Sequence, residues 1–65
     1  MKMSYFADTD TLYIEFRSMG AADTIDLDDN TVVDYDAAGN IVAITLEHAS
    51  ARTDLQNVTL SGIAA

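Results

Sequence analysis

The chain contains no cysteine, so no disulfide can staple it and no Cys-rich or Cys/His zinc site can form. Cations are nearly as scarce. Three Lys and Arg stand against eleven Asp and Glu, for a formal net charge of −8. Repulsion from phosphates argues against a nucleic-acid partner, and the same field disfavours anionic membrane surfaces. The charge favours solubility, cations and basic protein partners. No apolar run approaches the roughly 20 residues a bilayer span requires. The first residues, Met1 to Phe6, lack the long apolar stretch of a secretory signal and soon give way to acids. A cytoplasmic location is the default expectation.

The length of 65 residues allows one small domain, residues 1–65, of marginal stability. Scaffolds of this size without staples often gain stability by associating with themselves. A homo-oligomer is therefore expected, most simply a two-fold dimer.

What is present is alternation. Thr31 to Glu47 reads TVVDYDAAGNIVAITLE, two strands joined by a tight turn. Val33 and Tyr35 point one way, Asp34 and Asp36 the other; Val42, Ile44 and Leu46 share a face on the second strand. Gly39 suits a turn closed by a left-handed residue and a bulge. A one-residue slip would carry Asp34 and Asp36 into the core, so the register is strongly specified. Lys2 to Phe6 and Leu12 to Phe16 alternate likewise and predict a first hairpin across the turn-forming Ala7 to Thr11. Asp23 to Asp28 alternates too, with Ile25 and Leu27 inward. The fold class expected is mainly β: a small antiparallel β-meander of four to five strands with a short C-terminal helix or tail over residues 50–65. Ser50 or Thr53 would cap a helix running to Leu60 and packing on one sheet face. The expected core is Met3, Tyr5, Leu12, Ile14, Phe16, Ile25, Leu27, Val33, Tyr35, Val42, Ile44 and Leu46.

Two segments resemble a known family. Ser4 to Ile14 resembles a YDxxxDxLYI opening, and Val33 to Ile44 resembles VDYDxxGxVVGIEIL, followed by a matching Ala49-Ser50. Both are hallmarks of a small prokaryotic family, the domain of unknown function (DUF) 2283, and the resemblance covers about residues 1–50. Phe6 stands where the family more often has Asp, Ala43 where Gly is frequent, and Thr45 where Glu is frequent. The resemblance implies a small β-rich fold and a prokaryotic provenance. It implies no activity and no catalytic residues. Members of such families sometimes sit beside small toxin-like proteins, which suggests an antitoxin-like role.

The acids invite a calcium reading, but no frame fits an EF-hand loop. Starting at Asp34, Ala38 and Thr45 fall where acids belong. Starting at Asp26, Thr31 replaces the glycine and Ala37 the glutamate. A looser site remains open if Asp26, Asp28, Asp34 and Asp36 share a sheet face, since a divalent cation would relieve their repulsion. The alternative is a solvated acidic face. Acid–base catalysis by these residues requires a pocket and shifted pKa values, which an open sheet face does not provide. His48, the only histidine, makes neither a zinc site nor, with Ser50, a triad; it reads as a strand-end residue near solvent. Phe6, Tyr13, Ile41 and Ala43 face away from the main core and form a candidate interface patch. The sequence thus predicts a non-enzymatic structural or interaction module that self-associates and needs no cofactor. The alternatives are an acidic partner for a small basic protein and a calcium binder.

Overall fold

The computed structural model describes residues 1–18 and 20–57. Its strands are β1 (Lys2–Phe6), β2 (Thr11–Glu15), β3 (Asp23–Asp28), β4 (Thr31–Tyr35) and β5 (Ile41–Glu47). They are followed by a one-turn helix α1 (Ala49–Arg52) and a 3-10 turn at Leu55–Asn57. All five strands form one antiparallel sheet in the order β1-β2-β5-β4-β3. Hairpin pairing accounts for β1-β2, β3-β4 and β4-β5. The remaining link does not follow the sequential rule of a meander. After β2 the chain passes β5 and β4 to reach the far edge, and β2 pairs with β5 instead.

Directly opposed residues in an antiparallel sheet share a face. The register therefore lines up Met3, Ile14, Ile44, Val33 and Ile25 in one row across all five strands. A second row on that face holds Tyr5, Leu12, Leu46 and Thr31, and ends at Asp28, which opposes Thr31 beyond the β3 register shift. The opposite face carries Lys2, Glu15, Ala43, Asp34 and Thr24, and beside them Ser4, Tyr13, Thr45, Val32 and Asp26. Two register shifts interrupt the ladders, one at Asp26/Asp28 and one at Asp34/Tyr35. Gly39 is left-handed, with φ 85°, and closes the β4-β5 turn by donating its N–H to Asp36 O at 3.1 Å.

Burial is concentrated on the three inner strands. Leu12, Val33 and Val42 are buried, and Ala43 and Ala49 are fully so. Ile14, Tyr35, Ile44 and Leu46 are half-buried. Five residues expected in the core are exposed: Met3, Tyr5, Phe16, Ile25 and Leu27. They lie on or beside the outer strands and at the strand ends. Among the described residues, α1 is tied to the turns at one end of the sheet. Ala49 N donates to Asp10 O at 2.9 Å, and Arg52 Nη1 donates to Asn30 O at 2.7 Å and Glu47 O at 3.2 Å. Ser50 lies within the helix. Its N-cap is His48, left-handed with φ 54° and making no side-chain cap, and Thr53 is the C-cap. The expected continuation through Val58 and Leu60 lies outside the described residues. No helix among the described residues is long and apolar enough to cross a membrane.

Candidate functional site

The acidic residues separate into two groups once their partners are traced. Asp10 sits in the β1-β2 turn with φ 51°. Its carboxylate accepts from Tyr5 OH at 2.6 Å, from Ser50 N at 3.0 Å and from Ser50 Oγ at 2.7 Å. The Tyr5 and Ser50 hydrogen bonds favour the ionised form and hold the Asp10 pKa below the usual carboxylate value. The same bond raises the Tyr5 pKa, because the phenol donates to a carboxylate that a phenolate would repel. One side chain thus joins the first hairpin to the helix 40 residues later.

Asp36 performs a similar task at the other end of the sheet. Its Oδ1 accepts from Asn40 N at 2.9 Å and Ala38 N at 3.0 Å, and its Oδ2 meets Arg17 Nη1 at 3.0 Å. The backbone N–H of Asn40, then its side-chain amide, the Ala38 N–H and the Arg17 charge lower its pKa. Arg17 belongs to the link that crosses the sheet, so this ion pair fastens that link to the β4-β5 turn. Asp28 is held by Asn30 N at 2.8 Å, which lowers its pKa first among several donors, and lies 3.9 Å from Arg52 Nη2.

These partners overturn the expectation of four carboxylates on one open face. Asp36 is buried because the register shift at Asp34/Tyr35 and the turn draw it inward. Asp34 accepts from Thr24 Oγ1 at 2.7 Å. Asp26 stands opposite Val32, and Asp28 lies beyond the β3 register shift. No three His, Asp or Glu side chains come together among the described residues. Of the second expected patch, Tyr13 and Ala43 are diagonal neighbours across the β2-β5 seam. Phe6 and Tyr13 lie on the β1-β2 side, whereas Ile41 opens β5 opposite Tyr35 and Ala43 is fully buried. Phe6 and Ile41 are exposed and Tyr13 is half-buried.

The surface that does gather is the apolar face itself. Leu27 is 60% exposed, Ile25 48%, Tyr5 44%, and Met3 and Phe16 38% each. They surround half-buried Ile14, Tyr35, Ile44 and Leu46. Sequence reading placed these residues inward, and the helix it expected to pack on one sheet face runs into residues outside the described ones. The polar knots around Asp10, Asp36 and Arg52 were missed; each joins near neighbours to a partner distant in the chain, Ser50 for Asp10, Arg17 for Asp36 and Asn30 for Arg52.

No curated protein and no solved structure matches the chain. A family model, described as a protein of unknown function (DUF2283), matches residues 2–50. That span contains all five strands, Ala49 and Ser50. Asp10, Asp36, Gly39 and Ser50, which tie turns of the sheet together, all lie within it. The chain belongs to the DUF2283 family.

Proposed function

We propose that this protein is a small non-enzymatic interaction module that associates with itself by burying its apolar sheet face. The observation that carries this reading is the exposure of large apolar side chains around that face, Met3 and Tyr5 on one edge strand, Ile25 and Leu27 on the other, and Phe16 past the end of β2. Monomeric soluble proteins seldom leave a contiguous patch of that kind in water. Five strands about 4.8 Å apart and roughly 17 Å long give a footprint on the order of 400 Å² in projection, and more in accessible area. A stable dimer buries about 600–1,000 Å² per partner, so the whole face is just sufficient. Two-fold symmetry presents the same patch on both copies and makes the contact self-complementary.

The formal charge of −8 favours one second reading, an acidic partner for a small basic protein. Sedimentation of the isolated chain between micromolar and millimolar concentration separates the two. The first reading gives a mass that is a multiple of 7.0 kDa and falls when Leu27→Lys is introduced. A monomer throughout this range would remove the self-association reading and leave the acidic-partner reading, whose binding weakens steeply with salt.

A further inference from the structure

The two edges of the sheet are built differently. β3 carries three aspartates in six residues and a register shift that breaks its ladder. Like charges and irregular ladders are the usual means of keeping an edge from pairing with another copy. β1 has neither. Its sequence is KMSYF, its pairing with β2 is regular over all five residues, and it contains no acid. Its one cation, Lys2, stands opposite Glu15, so the edge presents little net charge on an otherwise strongly acidic molecule. No described element pairs with the outer side of β1.

We infer that β1 is a second self-association site, where it pairs antiparallel with β1 of another copy about a two-fold axis through Ser4. This deepens the self-association reading above and rests on it. The register follows from the faces. Opposed residues share a face, so the apolar faces of two copies run on into each other only if Met3 and Tyr5 oppose residues of their own set. Of the registers that satisfy this, the one centred on Ser4 pairs all five residues. Met3 then meets the other copy's Tyr5, a favourable thioether–aromatic pair. Lys2 meets the other copy's Phe6, a cation over a ring. Ser4 meets Ser4. The corresponding pairing of β3 would bring aspartates toward aspartates. Face contact and edge contact together give a closed tetramer with dihedral symmetry, two ten-stranded sheets packed face to face.

Ser4→Cys tests the register directly, because the chain has no other cysteine. Opposed residues in an antiparallel pair have Cα atoms about 4.5–5.5 Å apart, within the range a disulfide spans. Mild oxidation of Ser4→Cys is expected to give nearly complete covalent dimer. Lys2→Cys and Phe6→Cys are each expected to cross-link poorly alone and well when mixed. Ser4→Asp, which opposes two carboxylates, is expected to halve the mass of the assembly, and Leu27→Lys to leave the Ser4→Cys cross-link intact. An associating wild type whose Ser4→Cys variant cross-links no faster than an Asp26→Cys control overturns the β1 pairing but leaves the face contact standing. A wild type that is monomeric throughout overturns both.

Discussion

Leu12 and Leu27 are both strand leucines of the same sheet, yet one is 3% exposed and the other 60%. The first lies on β2, flanked by β1 and β5; the second lies on β3, with a neighbour on one side only. The inner strands β2, β5 and β4 form the core of the single chain. The outer strands extend the apolar face without being covered themselves. A five-stranded sheet of this length makes more apolar surface than its own one-turn helix can shield. The inner strands bury their apolar side chains on folding, and the outer strands leave theirs exposed.

Substituting the two leucines is the most direct way to break that contrast. Leu12→Ala is expected to cost about 3 kcal/mol, enough to leave a marginal domain largely unfolded in denaturant titration at any concentration. Leu27→Ala is expected to leave the unfolding of the dilute chain nearly unchanged and to raise the concentration at which it associates. A comparable loss of stability from both would remove the distinction between inner and outer strands.

The acids divide the same way, with smaller effects. Asp36→Ala and Asp10→Ala each strip several donors of their acceptor, and each is expected to lower the melting temperature by on the order of 10 °C. Asp26→Asn, which removes only a surface charge, is expected to change it by a degree or less.

The pH dependence sharpens this further. Asp10 and Asp36 have depressed pKa values in the folded chain. Their contribution is complete above the ordinary carboxylate value near 4 and is lost as pH falls through the depressed values. The raised Tyr5 pKa acts at the other end. Its contribution is complete below about pH 10 and is lost as pH rises through the folded value. Tyr5→Phe is therefore expected to flatten the alkaline limb of a melting-temperature profile, and Asp10→Asn the acid limb. The smallest expected effect is that of calcium. Because Asp26, Asp28, Asp34 and Asp36 do not converge, millimolar calcium is expected to leave the melting temperature unchanged within about a degree.

Much of the fold was legible because alternation is a local signal. Lys2–Phe6, Asp23–Asp28 and Ile41–Glu47 begin and end where the sequence pattern places them. The turn at Gly39 was legible because positive φ is cheap for glycine alone. Strand order was not, since nothing local distinguishes β3 pairing with β2 from β5 doing so. Asp36 was misplaced because simple alternation ignores the register shift at Asp34/Tyr35. Asp10 and Ser50 both stand in recognisable segments, but their hydrogen bonds become visible only when the turn and the helix are brought together. The apolar face could be read from the sequence, but the exposure of its outer side chains could not.

The crossing between β2 and β3 also governs how the chain must fold. Every other strand pair is a local hairpin, within reach of microsecond closure. The β2-β5 seam joins Thr11 to Glu47 and Glu15 to Ala43, and closing it costs the loop entropy of the whole intervening segment. In topology the sheet is two pieces, a hairpin of β1 and β2 and a three-stranded unit of β3, β4 and β5, joined along one seam. Docking of the two is therefore expected to limit the folding rate, as a stopped-flow comparison of link-length variants would read. Shortening the link at 16–22 would change that rate far more than strengthening any single hairpin.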